Sequence, residues 1–148
     1  MFKHILLPTD GSKLSDRAVQ RGLEFAKAIK ARVTTVHAVP EFRMIVEEGF
    51  VSPMSAELKK RFESESQQHA KKMLAKVEKA AKAAGVKCEA VAVVSDFPYQ
   101  QIIEVAKKKK CDLIVMASHG RKGLSSLLLG SETAKVLTHS KIPVLVVR

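Results

Sequence analysis

The chain of 148 residues has few of the residue types that mark several common protein classes. It contains no tryptophan, one tyrosine and two cysteines, and aromatic residues make up 5% of it. Proteins that bind single-stranded nucleic acid usually stack bases on aromatic side chains, so this composition argues against such a main role. No apolar run approaches the roughly 18 residues that a membrane-spanning helix needs. We therefore expect no membrane partner and consider a nucleic-acid partner unlikely.

The two cysteines show no metal-ligand or redox spacing. Cys88 and Cys111 lie in apolar-rich segments, and neither is part of a C-x-x-C motif or of a Cys/His ligand spacing. The apolar stretch at residues 2–7 is too short for a signal peptide and is followed by polar residues. These features predict reduced thiols in a cytoplasmic protein, with no metal site.

Two common nucleotide-binding fingerprints are also absent. The sequence contains neither GxxxxGK[ST] nor GxGxxG, so it supports neither a Walker-type ATPase nor a dinucleotide-dependent oxidoreductase. The formal net charge is +11. Because the lysines are spread over several predicted helices and do not form one tail, we interpret this charge mainly as a source of solubility and weak attraction for anions.

What the sequence does contain is a regular alternation of strand and helix patterns. The predicted strands cover residues 2–7, 32–39, 86–94, 112–117 and 143–147, and the predicted helices cover 13–29, 54–84, 98–109 and 131–139. This order predicts a single α/β domain over residues 1–148, an open five-stranded parallel sheet with helices on both faces. The second helix is long, so we expect a break near Ser64 or Ser66, and residues 41–53 are predicted to form a mobile loop over the site.

Open α/β sheets bind ligands beyond the carboxyl ends of their strands, where the winding reverses. That rule selects the exits of strands one and four, residues 8–12 and 117–131. The second exit has glycines before a helix start, a pattern typical of backbone amides that hold phosphate oxygens. Gly120 and Gly130 would let the backbone approach an anion, while Ser131 and Thr133 would donate hydroxyl hydrogen bonds. Two plainer interpretations stay open: a simple helix start at Gly130, and a turn or N-cap role for Asp10.

Three segments together carry a family resemblance. Gly120 is followed, after nine residues, by Gly130-Ser131; strand one is followed by Pro-Thr-Asp-Gly-Ser; and the chain ends Ile-Pro-Val-Leu-Val-Val-Arg. The chain resembles universal stress proteins of the ATP-binding type over essentially its whole length. The family pattern reads G-x-x-G, nine residues, then G-[ST], and its first glycine is replaced here by Ala117. A Cβ at this position would cost stability if φ were positive, and it could crowd a nucleotide.

The resemblance implies a Rossmann-like fold of the adenine nucleotide alpha hydrolase-like kind that binds ATP, AMP or ADP, with Mg²⁺ accompanying ATP. Asp10 would bind ribose or adenine donors, and Ala38 would contact adenine through its backbone. His119 is the histidine that we regard as a candidate contact. The full predicted set of nucleotide-binding residues is Pro8, Thr9, Asp10, Ala38, Met116, Ala117, Ser118, His119, Gly120, Arg121, Gly123, Gly130, Ser131, Glu132 and Thr133.

The resulting hypothesis is an ATP-binding stress or signalling module. The apolar strand at residues 143–147 would lie at a sheet edge, where pairing with its copy would make a homodimer. Two alternatives remain open: a slow ATPase or autophosphorylating enzyme, for which no catalytic residue can be assigned, and a nucleotide-independent dimeric interaction protein. The latter would be favoured if Ala117 blocked the pocket.

Overall fold

The computed structural model describes residues 1–43, 53–120 and 128–148. Strands and helices alternate along these residues. In chain order they are β1 (His4–Pro8), α1 (Lys13–Ile29), β2 (Arg32–Val39), α2 (Pro53–Ala84), β3 (Cys88–Val94), α3 (Pro98–Lys108), β4 (Leu113–Ala117), α4 (Ser131–His139) and β5 (Val144–Val147). The five strands form one parallel sheet in the order β3-β2-β1-β4-β5. The predicted fold class is confirmed.

Strand β1 supplies the centre of the core because successive side chains of a strand point to opposite faces. Ile5 and Leu7 join the cluster beneath α1 and α2, whereas Leu6 joins the cluster beneath α3 and α4. All three side chains are fully buried. Helices therefore cover both faces of the sheet, as apolar strands buried on both sides require.

Helix α2 runs without a break from Pro53 to Ala84, so the predicted interruption near Ser64 or Ser66 is wrong. Two ion pairs with i, i+4 spacing span that region, Lys59 with Glu63 and Arg61 with Glu65. Each such pair stabilises an exposed helix by about 0.2–0.5 kcal/mol. Although α2 is long, no helix in residues 1–43, 53–120 and 128–148 has a stretch apolar enough to cross a membrane.

Helices α1, α2 and α3 end in the same tight turn. A residue in the left-handed region follows each helix closely: Lys30 (φ 58°), Gly85 (φ 73°) and Lys110 (φ 56°). The next residue then donates its N–H to the carbonyl five residues back, at 2.8–2.9 Å. This pairing satisfies carbonyls at the helix end and starts the connection to the next strand.

The same turn explains where the strand boundaries differ from the sequence-based ones. Strand three was predicted to begin at Val86, but the N–H of Val86 donates to Ala81 at the end of α2, so β3 begins at Cys88. Pro8, predicted to end strand one, is instead its last residue and pairs in register with Val36. Residues 44–52 of the predicted mobile loop lie outside the described residues.

The two thiols lie far apart in the sheet. Cys88 opens β3, whereas Cys111 precedes β4, and β2 and β1 lie between those strands. Burial raises the pKa of each thiol to about 11, and nearby carboxylates add to the effect. Both side chains are therefore protonated at neutral pH, and neither can reach the other to form a disulfide.

His4 gives the fold a defined dependence on pH. Its ring is buried, with Nε2 2.8 Å from Thr34 Oγ1. Burial, and then the Arg32 charge, lower its pKa below the usual range. The unfolded chain therefore binds this proton more readily than the folded chain, so the free energy of unfolding should fall as pH drops through and below about 6.5. We expect urea unfolding to show a smaller loss between pH 7.5 and 5.5 for His4→Gln than for the unmodified chain.

Equal loss of stability in the His4→Gln variant and the unmodified chain would contradict the role given to His4.

Candidate functional site

A cavity of about 430 Å³ opens at the carboxyl edge of the sheet. It lies where β1 and β4 run side by side, which is where the winding of the sheet reverses. Its volume is within the range of small-molecule sites, about 300–1,000 Å³. Of the predicted site residues, those that border it are Pro8, Thr9, Asp10, Ala38, Met116, Ala117, His119, Gly120, Gly130, Ser131, Glu132 and Thr133.

Three predicted site residues do not belong to that group. Ser118 is buried behind the wall and does not border the cavity. In this structure it supports the wall, because its carbonyl accepts from Gly130 N. Arg121 and Gly123 lie outside the described residues.

The exit of β1 is held by hydrogen bonds within the turn and from the neighbouring α1 and β2. Thr9 Oγ1 accepts from Gly11 N at 3.2 Å and from Ser15 Oγ at 2.9 Å. The ring of His37, which also borders the cavity, places Nδ1 2.8 Å from the carbonyl of Thr9. Because Thr9 is buried and held on both sides, this wall of the cavity is set before any ligand arrives.

Asp10 has a structural role in the turn. Its Oδ1 accepts from Ser12 N at 3.0 Å, while the N-cap of α1 is Ser12, whose side chain accepts from Ser15 N. The turn interpretation of Asp10 is thus correct and the N-cap interpretation is wrong. The same carboxylate also lies close to the segment after β4, because a Cβ on Gly120 would stand 2.7 Å from Asp10 Oδ2.

The amino end of α4 presents unused backbone donors to the cavity. The N-cap, Gly130, has no side chain to bond them, and the first intrahelical bond runs from Ala134 N to Gly130 O. No described residue accepts from the amides of Ser131, Glu132 and Thr133. A helix amino end also carries a partial positive charge, so these three amides can bind an anion.

The amide of Gly130 is used within the protein. Its N–H donates to Ser118 O at 2.8 Å and so holds the β4 exit against α4. Its φ of −61° is open to any residue. The missing Cβ avoids a tight contact, since a Cβ would lie 3.1 Å from His119 Cα and 3.2 Å from Ser118 O.

Ala117 and Thr133 form a second link between β4 and α4. The Thr133 hydroxyl donates to Ala117 O at 2.9 Å and is buried, so its proton is used within the protein. Ala117 lies in β4, and the non-glycine residues with positive φ are elsewhere in the described chain. Alanine at this position therefore carries no left-handed strain.

His119 is held by its neighbour. Its Nδ1 lies 2.9 Å from Ser118 Oγ, and its Nε2 is buried without a hydrogen-bond partner among the described residues. The contact orients the ring at the cavity wall. It does not make a nucleophile of Ser118, whose side chain is 2% exposed and is shut off from the cavity.

Glu132 connects the starts of two helices. Its Oε2 accepts from Tyr99 N at 2.8 Å, in the first turn of α3, and its Oε1 pairs with Lys135 at 3.0 Å. These bonds draw its negative charge toward α3 and Lys135. The α3 N-cap, Phe97, offers no capping side chain, so Glu132 supplies that acceptor from α4.

Several cavity residues were not identified from the sequence. They belong to the exits of β2 and β3 and to the starts of α1 and α3: Ser15, Val36, His37, Asp96, Pro98, Gln101 and Ile102. Extending the rule of carboxyl ends to strands two and three would have pointed to some of them. Asp96 joins the segment after β2 to the turn after β3, because it accepts from Glu41 N at 3.0 Å and from Arg43 Nε at 2.7 Å. Those two bonds, in that order, hold its pKa below the usual range.

With this geometry established, comparison with known proteins identifies the family. A model of the universal stress protein family matches residues 1–148. The chain belongs to the universal stress protein family. It is 36% identical to universal stress protein MJ0531 of Methanocaldococcus jannaschii over 148 residues, which covers all of this chain and 83% of that protein.

Solved universal stress protein structures share the fold. The structure of MJ0577, also from M. jannaschii, matches with a TM-score of 0.80 and 30% identity over 99% of this chain and 96% of that one. A universal stress protein solved in complex with cAMP matches with a TM-score of 0.71 and 27% identity, over 99% and 97% of the two chains.

The contacts of the two glycines predict different costs of adding a Cβ. In Gly130→Ala the new Cβ would press on the backbone of residues 118 and 119, and overpacking of this kind costs about 1–3 kcal/mol. In Gly120→Ala it would meet the end of the Asp10 side chain, which can turn away. We expect urea unfolding to show the larger loss for Gly130→Ala. Equal losses would contradict the packing role of Gly130.

Proposed function

We propose that this universal stress protein binds an adenine nucleotide, with ATP as the working ligand, in the cavity between the β1 and β4 exits. The observation that carries the proposal is the uncapped amino end of α4, which borders the same cavity as Asp10. The cavity thus combines donors for an anion with an acceptor for hydroxyl or amino groups. A nucleotide has both kinds of group.

The phosphates would lie against α4. The amides of residues 131–133 would donate to phosphate oxygens, and the Ser131 hydroxyl, exposed at the same end, would add a donor. Thr133 would contribute through its amide alone, because its hydroxyl already donates to Ala117. Arg121, which the family resemblance places in the phosphate loop, would neutralise charge from outside. The bonds of Glu132 to Tyr99 and Lys135 keep its carboxylate from competing with the phosphates.

The adenosine part would occupy the rest of the cavity. The apolar side chains of Val36, Ile102 and Met116 border it and would pack on the base. The backbone of Ala38, near the end of β2 at the cavity, would pair with the adenine edge. Asp10 would accept from the ribose hydroxyls, since its carboxylate stands at the junction of the β1 and β4 exits.

Magnesium would enter with the phosphates. Within residues 1–43, 53–120 and 128–148, no three His, Cys, Asp or Glu side chains converge as metal ligands. Mg²⁺ commonly binds through nucleotide phosphates and keeps several waters, so it needs no such cluster. The solved relative in complex with cAMP further supports an adenine nucleotide as the ligand.

Asp10→Asn tests the adenosine contact. The amide oxygen of asparagine can still accept from Ser12 N, so the turn should survive while the charged acceptor is lost. Loss of one hydrogen bond to a charged group, about 1.5–3 kcal/mol, corresponds to at least a tenfold weaker affinity. We expect isothermal titration calorimetry to show that loss for ATP with a nearly unchanged Tm.

The matched control is Asp16→Asn, which removes the same charge from the first turn of α1, outside the cavity. It should leave ATP affinity unchanged. Absence of ATP binding by the unmodified protein at millimolar nucleotide, or equal affinity of Asp10→Asn, would contradict the proposal. Nucleotide recovered from denatured extracts of the freshly purified protein would identify which phosphate state it carries.

The module would act as a homodimer joined through β5. This strand pairs with β4 on one side and forms an edge of the described sheet. Apolar side chains remain exposed nearby, Leu145 on β5 at 46% and Leu137 on α4 at 42%. An exposed apolar edge strand is a ready template for pairing with a second chain. Bound nucleotide would then bias the partner choice of the dimer.

Leu145→Lys tests this pairing. A charge at the centre of the edge strand should shift the protein toward monomer, as measured by size-exclusion chromatography with light scattering. Leu58→Lys is the control, because Leu58 is also exposed but lies on α2. A monomeric unmodified protein, or dissociation by both variants alike, would argue against β5 as the interface.

A further inference from the structure

Positively charged side chains are concentrated at the edge of the sheet where the strands begin, opposite the cavity. In a parallel sheet with crossover helices, the carboxyl ends of the helices and the amino ends of the strands meet at one edge. Lysines occupy the last turn of α1, α2 and α3, as Lys27, Lys82, Lys107 and Lys108. All four are exposed. We call this edge, with the connections that follow the helices, the amino-edge surface.

The connections add further lysines. Lys30 follows α1, Lys87 follows α2, Lys109 and Lys110 follow α3, and Lys141 follows α4. All but Lys109 are exposed. The lysines that appear spread along the sequence therefore lie at the same end of the sheet, because every crossover returns to that end.

Few negative charges oppose them. Lys3 and Arg32 complete the positive set at the starts of β1 and β2. Within the described chain, Glu89, which pairs with Lys109, and Asp112 lie on the amino-edge surface itself, and the charge of Glu78 on α2 acts on Cys88 at the start of β3. The Asp112 carboxylate accepts from the backbone of Lys3 at 2.8 Å and of residue 4 at 2.9 Å, so it neutralises no lysine side chain. Most of the net charge of +11 is therefore concentrated here.

Two of these lysines occupy positions that favour glycine. Lys30 and Lys110 adopt left-handed φ angles of 58° and 56°, whereas the equivalent turn after α2 has Gly85 at 73°. A side chain in this region is disfavoured. A cation at a helix carboxyl end interacts favourably with the helix dipole, but Lys27 and Lys107 already supply that charge. The extra lysines therefore point to a use for the charge itself.

We propose that the amino-edge surface binds the phosphate backbone of duplex nucleic acid without reading its sequence. Packed helix axes lie about 8–10 Å apart, so the lysines of several crossovers are too widely spread to share one small anion. A polymer of phosphates can contact them together. Lysine acts as a point charge and suits such contacts. The expectation that a nucleic-acid partner is unlikely is revised here, because it took the lysines to be dispersed.

The surroundings favour a duplex over single strands or a lipid surface. Of the exposed large apolar side chains in the described chain, Met1 lies at this edge and Leu137 lies in the last turn of α4 beside it. Insertion into a membrane would need more apolar anchors than these two. Phe2 is half-buried against the core, so no ring among the described residues of this edge is free to stack on bases. Charge alone fits the regular phosphates of a duplex.

The sharpest test removes Lys30 and Lys110 together as Lys30→Gly with Lys110→Gly. Glycine suits both left-handed turns, so the Tm should not fall. Binding of a fluorescein-labelled DNA duplex of mixed sequence is followed by anisotropy across salt concentrations. Loss of two phosphate contacts should flatten the slope of log affinity against log salt by about 1.8, which is roughly 60-fold weaker binding at about 0.1 M salt.

The matched control is Lys71→Gln with Lys72→Gln, which removes two exposed charges from α2 away from this edge. It should bind duplex almost as the unmodified protein does. The pair Lys107→Gln and Lys108→Gln should repeat the loss if the glycine pair proves unstable. No duplex binding by the unmodified protein at about 50 mM salt, equal weakening by the control, or binding to phosphatidylserine vesicles in place of duplex would overturn the proposal. ATP affinity should be unchanged in all these variants, so this test is independent of the nucleotide site.

Discussion

The parallel pairing of β1 with β2 on one side and β4 on the other is the constraint on which the molecule depends. β1 is the central strand, and its fully buried side chains supply both layers of the core. Its start is joined to the start of β4 through Asp112, which accepts from the backbone of Lys3 and His4. Its exit, beside that of β4, forms the walls of the cavity. Core, register and site therefore rest on the same strand.

Buried polar groups around that cavity are used mainly to hold its shape. Thr9, Ser118 and Thr133 bond neighbouring segments to one another. The consequence is a cavity whose walls are held by internal hydrogen bonds, while the amides at the start of α4 remain for a ligand. Such preorganisation lowers the ordering cost of binding.

The fold could be predicted from the sequence because its signals are local and repeated. Alternating strand and helix patterns imply a parallel sheet, and the rule of carboxyl ends selects the β1 and β4 exits. The continuity of α2 could not be predicted, since Ser64 and Ser66 are poor helix formers, and the i, i+4 ion pairs around them give the helix only modest support. The start of β3 was missed because the N–H of Val86 is used at the end of α2.

The lining of the cavity could be predicted where a motif marked it and not where only the fold assembles it. Gly130, which the motif singled out, borders the cavity, but its contacts depend on Ser118, whose carbonyl accepts from its amide. His37 and Asp96 reach the cavity from β2 and from the turn after β3, and no spacing in the sequence joins them to Gly120. The clustering of the lysines has the same origin, since only the crossovers bring them together.

The bond between Glu132 and the backbone of Tyr99 couples the first turns of α4 and α3. These helices lie on the same face of the sheet, and both border the cavity at their amino ends. A displacement of the first turn of α4 would thus be passed to the first turn of α3 through this carboxylate. Any group that binds the α4 amides has a short mechanical route to a second helix and, through it, to the outer surface of that layer.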